Sequence, residues 1–183
     1  MRKLLLSAIM LFLCLGALTF AGDQKFNTNA VYFDTVTAKP GEHFAVKAYL
    51  YNLDTLSGLQ VPIFFRSENI NLWCDSISVE GSRCKYFMFD DIKLPETEKD
   101  DKVAYFSFID TVNPKVMVDP LPPGDGLVAT IYFTAPKDCP EGTVPLVRGM
   151  IPHPHISFIF SLWNPDGDEV DSEFIPSEII IKK

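Results

Sequence analysis

The sequence predicts an all-β protein, a two-sheet β-sandwich of jelly-roll type with about nine strands. Short segments in which apolar and polar residues alternate follow one another along the chain, and turn-forming Gly, Pro, Asn and Asp separate them. After the first 21 residues, no ten-residue window has a capped 3.6-residue period. The chain has 183 residues, 47% of them hydrophobic and 22% charged, which suits one domain with a real core.

The first half of the predicted domain contains five strands. Residues 31–37 are mainly β-branched and aromatic, which favours a strand. A Lys-Pro-Gly-Glu turn follows, and residues 44–51 then alternate between apolar and polar side chains, which indicates one buried face. The same alternation returns over 59–66. The segment 72–80 is the fourth strand, and a Glu-Gly-Ser-Arg turn separates it from the fifth at 84–89.

The second half adds up to five more strands. Residues 103–109 are continuously apolar or aromatic apart from one Ser. In 127–133 the alternation turns Leu, Ala, Ile and Phe toward the core between the sheets. A short strand lies near 143–147, and 156–162 alternates again before an Asn-Pro-Asp-Gly-Asp turn. Three consecutive Ile residues at 179–181 form the last strand.

The first 21 residues have the pattern of a secretory signal peptide. Arg2 and Lys3 give a basic start, residues 4–20 are almost continuously apolar, and small residues precede the expected cleavage after Ala21. We therefore expect a signal peptide over 1–21 and a single domain over 22–183, secreted or held at the cell surface. A membrane anchor is the alternative, but an apolar run of about 17 residues is short for a span. We expect no membrane span in the mature chain.

The negative charge of the chain argues against a nucleic-acid partner. The formal net charge is −8, and it falls to −10 when Arg2 and Lys3 leave with the signal peptide, since 14 basic and 24 acidic residues remain. Nucleic-acid binding needs clustered Lys and Arg, so we expect no nucleic-acid partner.

Two long loops are also predicted. Residues 90–102 are expected to form a charged surface loop, and the proline-rich residues 110–124 are expected to form a long irregular connection.

Three cysteines remain after the signal peptide. In an oxidising compartment, one disulfide and one leftover thiol is the simplest arrangement. Cys74 and Cys84 flank the Glu-Gly-Ser turn, and we predict a disulfide between them. Cys139 is then expected to stay free or to pair between chains.

The sequence contains no catalytic or metal-binding motif that would indicate an enzyme. There is no Gly-x-Ser-x-Gly nucleophile elbow, and His43, His153 and His155 stand in no recognisable triad context. Two His without a nearby third ligand do not make a zinc site. Residues 164–169 have the Gly in the wrong place for a helix-loop-helix calcium loop, so we expect a tight turn there. A weak surface Ca²⁺ is the alternative at this turn, and no other cofactor is expected.

Four sequence blocks, in this order, resemble the cohesin domain family. Residues 31–52 end in Tyr-Leu-Tyr-Asn, and residues 58–63 read Gly-Leu-Gln-Val-Pro-Ile. Residues 124–133 read Gly-Asp-Gly-Leu-Val-Ala-Thr-Ile-Tyr-Phe, and residues 141–146 read Glu-Gly-Thr-Val-Pro-Leu. The resemblance covers roughly residues 29–183. It implies a jelly-roll sandwich shared with carbohydrate-binding modules, in an extracellular, non-catalytic module. Cohesins bind dockerins on one sheet face and so assemble polysaccharide-degrading complexes.

Aromatic residues on the polar side of the strands are the candidate binding residues. Tyr49, Tyr51 and Tyr132 point away from the core by alternation, and such rings can anchor a protein partner or stack on sugars. Lys47 and Gln60 are candidates for the rim of the same face. The alternative is that these rings lie beneath a loop. The expected partner is a dockerin-type extracellular protein or a polysaccharide. A structural or adhesive cell-surface subunit is the alternative function.

Overall fold

The computed structural model describes residues 25–94, 102–109, 119–151 and 158–183. The predicted signal peptide, most of the proline-rich connection, and His153 and His155 lie outside these ranges. Within them, regular structure consists of strands, and no helix is long and apolar enough to cross a membrane. In chain order the strands are β1 (Asn29–Phe33), β2 (Val36–Ala38), β3 (His43–Asn52), β4 (Gly58–Phe65), β5 (Trp73–Ser78), β6 (Met88–Leu94), β7 (Val103–Ile109), β8 (Gly124–Thr134), β9 (Gly142–Arg148), β10 (Met150–Ile151), β11 (Phe158–Ile159), β12 (Ser161–Trp163), β13 (Ser172–Phe174) and β14 (Ser177–Ile181).

Two main sheets form the sandwich, as the alternation predicted. The five-stranded sheet has the order β13-β1-β3-β8-β5, and the seven-stranded sheet has the order β2-β14-β9-β4-β7-β6 with β12 also paired to β4. The strands β10 and β11 form a separate two-stranded pair. Most neighbours are antiparallel, but β13 runs parallel to β1 and β14 runs parallel to β2.

The core lies between the two main sheets, because each sheet turns its apolar side chains toward the other. From the five-stranded sheet come Val46, Ala48, Leu50, Ile131 and Phe133, and from the seven-stranded sheet come Leu59, Val61, Ile63, Phe65, Ala104, Phe106 and Phe108. All of these are at most 1% exposed. Phe133 packs edge-on against Phe65 across the core, with ring centroids 5.1 Å apart.

The chain between β5 and β7 differs from the prediction. Residues 84–87 form turns instead of the first part of the predicted strand 84–89. The strand instead begins at Met88 and continues to Leu94, into the range 90–102 where a charged loop was expected. This strand, β6, pairs with β7 along its whole length at the edge of the sheet. Edge strands tolerate charged residues such as Asp90 and Asp91, so charge content was a poor guide here.

A β-bulge corrects the predicted inner face of β8. The pairing of β3 with β8 shifts between Ala48 and Tyr49, where Ala48 is opposite Ala129 but Tyr49 is opposite Leu127. The additional residue, Val128, is fully buried in the core, whereas Leu127 is only half-buried. Because a bulge inserts one residue, it reverses the alternation beyond it. The prediction that Leu127 faces the core was therefore wrong.

The predicted disulfide between Cys74 and Cys84 is also wrong. No disulfide joins these two residues, and both are buried in the core. Cys74 lies in β5, opposite Phe133, but Cys84 belongs to the turns after β5 and not to a facing strand. Burial raises the pKa of the Cys84 thiol to about 12.

We expect iodoacetamide at pH 8 to react with Cys84 at least about tenfold more slowly in the folded than in the urea-unfolded protein, because only the thiolate reacts. Because the pKa of the Cys84 thiol is higher in the folded than in the unfolded protein, ionisation of this thiol favours unfolding. The contribution of this thiol to stability is complete below its ordinary pKa of 9.0 and is lost as the pH rises toward about 12. Peptide mapping after alkylation measures the rate, and rapid labelling of folded Cys84 would contradict its burial.

Candidate functional site

Four aromatic side chains lie together on the outer face of the five-stranded sheet, away from the core. They are Phe26, Tyr32, Tyr49 and Tyr51, and we call them the aromatic cluster. Tyr32 and Tyr49 are directly opposite each other on β1 and β3, and their rings stack with centroids 5.1 Å apart and an angle of 14°. The Phe26 ring contacts Tyr32 at 5.4 Å and Tyr51 at 5.7 Å.

The local sequence explains why this cluster forms. Tyr49 and Tyr51 are two residues apart on β3, so both side chains leave the sheet on the same side. Their neighbours across the strand pair are Tyr32 and Ala30. Ala30 is small, which leaves room for Phe26, from the segment before β1, to lie against Tyr51. The other neighbour of β3 is β8, and there the residue opposite Tyr49 is Leu127, because the bulge shifts the pairing of the two strands.

Charged groups hold the aromatic cluster in place. The Tyr32 hydroxyl donates a hydrogen bond of 2.6 Å to the carboxylate of Asp125, and the Tyr49 hydroxyl donates one of 3.4 Å to Asp34. Lys25 Nζ lies 3.7 Å from the centre of the Tyr32 ring and 3.4 Å from Asp125. This is a cation–π contact combined with an ion pair.

The pKa values of Tyr32, Tyr49 and Lys25 in this network are all raised. Burial and the hydrogen bond to Asp125 raise the pKa of Tyr32, and burial and the charge of Asp34 raise that of Tyr49. For Lys25, burial opposes the charge, but Tyr32 and Asp125 together raise its pKa. The tyrosines therefore remain protonated and Lys25 charged at neutral pH, which preserves the hydrogen bonds and the ion pair.

Two other predicted site residues share this face but lie outside the cluster. Lys47 is exposed, opposite Thr130 near the middle of the sheet. Tyr132 is opposite Ala45, four residues from Tyr49 along β3, or about 13 Å at the usual rise per residue. Tyr132 is 42% exposed. The predicted anchors Tyr49 and Tyr51 are thus together, and Tyr132 stands apart from them.

Gln60 does not belong to this face. It lies in β4, in the seven-stranded sheet, where it is opposite Ser107 of β7 and Ser161 of β12. The sequence shows that Gln60 alternates with core residues, but it does not show which sheet receives β4. The prediction that Gln60 and Lys47 line the same rim therefore does not fit the structure.

A polar group occupies the far end of the same face. The Thr134 hydroxyl donates a hydrogen bond of 2.6 Å to Asp75 and lies 2.7 Å from Nδ1 of His43. A hydroxyl has one proton, so Nδ1 of His43 must carry the hydrogen in its contact with Thr134. Trp73 of β5 is opposite Thr134 and is 48% exposed.

The outer face of the seven-stranded sheet is partly covered. A second apolar cluster there joins Val103 and Tyr105 of β7 to Ile151 of β10, with Phe64 and Phe158 packed against it. Tyr105 and Phe158 have ring centroids 5.0 Å apart. The pair β10 and β11 thus lies over strands β4 and β7. No comparable cover lies on the five-stranded sheet within the described ranges.

The described part of the chain has no group of three or more His, Cys, Asp or Glu side chains placed to hold a metal ion. At residues 164–168 the expected turn is present, and Gly167 has a φ of 85°. Asn164 Oδ1 accepts hydrogen bonds from the backbone N–H groups of Asp166 and Asp168. This side chain therefore closes the turn itself.

Sequence reasoning missed the partners of the predicted tyrosines. Tyr32 alternates with the core residues Val31 and Phe33, so the sequence predicts that its side chain points away from the core. Its contact with Tyr49, however, depends on strand order. Phe26 and Lys25 precede the first strand and carry no periodic signal. Trp73, Asp75 and His43 come together only because β5, β8 and β3 are neighbours.

Comparison with known proteins connects this fold to a group of solved structures. No protein-family model matches the sequence, and no curated protein is significantly similar to it. A type I cohesin of Clostridium thermocellum, solved as a cohesin–dockerin complex, aligns with a TM-score of 0.63 and 16% identity, over 85% of this chain and 94% of that one. A non-cellulosomal cohesin of Archaeoglobus fulgidus aligns at 0.59 with 13% identity, over 85% and 92%.

The third ScaB cohesin of R. flavefaciens, solved with a group 1 dockerin, has a TM-score of 0.56 and 22% identity, and the alignment covers 85% of this chain and 95% of that one. In each case nearly the whole neighbouring domain is matched. The likeness is one of backbone structure, because the identities are low. The chain therefore has the fold of the cohesin domains.

Proposed function

We propose that this chain is a secreted, non-catalytic binding module whose partner is a protein of the dockerin type. Two of the three structural neighbours described above are cohesins solved with dockerins, and fold alone carries only the general expectation of a binding module. The basic and apolar start of the sequence supports export. The observation that carries the proposal is the aromatic cluster on the outer face of the five-stranded sheet.

The aromatic cluster has the properties of a protein-binding centre. Half-buried Tyr32, Tyr49 and Tyr51 offer large apolar area, and hydrogen bonds and ring contacts fix their conformations before binding, which lowers the entropy lost in a complex. Lys25, Lys47 and Asp125 supply a polar rim of both signs. Tyrosine-rich centres with polar rims are typical of protein interfaces.

The same contacts argue against a sugar platform made from Tyr49 and Tyr51. A polysaccharide would need two open, coplanar rings along β3. Tyr49 instead has its ring stacked on Tyr32 at 5.1 Å, and Tyr51 meets Phe26 edge-on at 64°. One side of each ring is therefore already in contact within the protein, which favours a protein partner at this place.

The first experiment identifies and measures the partner. The tagged chain is used to recover proteins from the secreted fraction of the source organism, and the recovered protein is identified and produced pure. Tyr51→Ala is then expected to weaken its binding by more than ~1 kcal/mol, about a fivefold rise in Kd, because Tyr51 is one of the half-buried tyrosines proposed as anchors. Isothermal titration calorimetry measures the Kd.

The matched control is Tyr86→Ala. Tyr86 is 71% exposed in the turns after β5, outside the five-stranded sheet, and its loss is expected to leave the Kd unchanged. Thermal unfolding shows whether each variant is folded. An unchanged Kd for folded Tyr51→Ala would remove this face as the binding site, and recovery of a partner without any dockerin-like module would contradict the dockerin type.

A further inference from the structure

We propose that the far end of the five-stranded sheet is a second binding site, for a neutral polysaccharide chain. The site consists of Trp73, Asp75, Lys102, Tyr132, Thr134 and His43, and we call it the Trp73 site. Along β3, His43 is six residues from Tyr49, about 20 Å at the usual rise. The Trp73 site is therefore separate from the aromatic cluster, and this proposal does not depend on the proposed protein partner.

Two exposed rings form the stacking surface. Tyr132 is 42% exposed, and its direct neighbours across β3 and β5 are Ala45 and Ser76, both small. The ring therefore has no large direct neighbour on either adjacent strand. Trp73 is 48% exposed and is a diagonal neighbour of Tyr132, at the ~7–8 Å typical of such pairs. The faces of aromatic rings are electron-rich and attract the weakly positive C–H groups of a sugar ring.

Trp73 is held in position before any ligand binds. Lys102 Nζ lies 5.4 Å from the centre of the Trp73 ring and donates a hydrogen bond of 2.7 Å to the carbonyl of Leu72. One face of the indole therefore rests on a cation that is itself anchored to the backbone. The exposed part of the indole is left for a ligand.

Polar groups beside the rings match sugar hydroxyls. His43 Nδ1 is engaged by Thr134, so Nε2 is the ring nitrogen left for a ligand, on a side chain that is 80% exposed. The carboxylate of Asp75, also partly exposed, accepts from Thr134 and has further acceptor capacity. Asp75 and Lys102 balance each other in charge, so a charged sugar gains nothing over a neutral one.

Native gel electrophoresis through soluble neutral polysaccharides tests the proposal. The full chain is run in gels containing hydroxyethyl cellulose, xylan or mannan, and also carboxymethyl cellulose as an anionic counterpart. We expect retardation in at least one neutral gel, and no additional retardation in the anionic one. Trp73→Ala is expected to weaken the interaction about tenfold or more, as for a dominant aromatic anchor. Tyr86→Ala, an exposed tyrosine elsewhere, is expected to run as wild type.

His43→Ala gives a second test if Trp73→Ala does not fold, because an 80% exposed side chain contributes little to the core. It is expected to reduce retardation several-fold. The proposal is overturned if the wild type runs freely in all three neutral gels, if the anionic gel retards it most, or if folded Trp73→Ala is retarded like the wild type. It is also overturned if Trp73→Ala weakens the dockerin-type partner and not the polysaccharide.

Discussion

Phe133→Ala is expected to lower the free energy of unfolding by about 3–5 kcal/mol, the range for removing a fully buried Phe from a packed core. Phe133 is completely buried, stacks on Phe44 at 5.8 Å and meets Phe65 edge-on at 5.1 Å. The variant loses these ring contacts and leaves a cavity between the two sheets. Urea unfolding followed by fluorescence measures the change.

Thr130→Ala is the control for this prediction. Thr130 is on the same strand but on the outer face, between Lys47 and Ser78 of the neighbouring strands, and its side chain is largely covered there. Its replacement removes only a hydroxyl and a methyl group and leaves no cavity between the sheets, so it is expected to cost about 1 kcal/mol, well below the loss for Phe133→Ala. If the two variants lost equal stability, the assignment of the inner and outer faces of β8 would be wrong.

Arg83→Ala is expected to cost about 2–4 kcal/mol, because hydrogen bonds from a charged donor are strong and their loss leaves acceptors unpaired. The Arg83 guanidinium donates to the carbonyls of Leu50 and Pro122, at 3.2 and 2.7 Å, and to Oδ1 of the buried Asn52 at 2.8 Å. It therefore ties the turns after β5 to the end of β3 and to the segment before β8. Lys85→Ala, an exposed change nearby, is expected to stay within about 0.5 kcal/mol.

A double-mutant cycle with Gly126 tests the same contact independently. A Cβ at Gly126 would lie 2.8 Å from Cδ of Arg83, so Gly126→Ala is expected to displace the arginine and cost about 1–3 kcal/mol by overpacking. In the Arg83→Ala background the same change is expected to cost at least about 1 kcal/mol less. Additive losses would show that Arg83 does not occupy this place in solution.

Alternation predicted the sandwich because it depends on each strand alone. The buried faces of β3 and β4 follow directly from the period of two, and so does the outward direction of Tyr49 and Tyr51. At β8 the prediction was confirmed for Ala129, Ile131 and Phe133 but failed for Leu127, where the bulge reverses the alternation, since a bulge arises from pairing with a second strand. It also failed at β6, where charged residues at a sheet edge have the composition of a loop.

The site was less predictable than the fold for the same reason. Tyr49 and Tyr51 were identified from their own strand, but Gln60 was grouped with Lys47 although the two lie in different sheets. The contact between Tyr32 and Tyr49 and the meeting of Trp73, Thr134 and His43 depend on strand order. Strand order results from the packing of the whole domain and leaves no periodic trace in the sequence.

The two parallel pairings join the beginning of the domain to its end. β1 lies beside β13 and β2 beside β14, and the Ser177 hydroxyl donates a hydrogen bond to the carbonyl of Asp34, 143 residues away. Neither pairing can form during synthesis until residues 172–181 have been made. Contacts this distant in sequence also slow folding. Until then β1 and β2 present open edges to neighbouring molecules, so a chain that stops before residue 172 would be a source of aggregation rather than a smaller working domain.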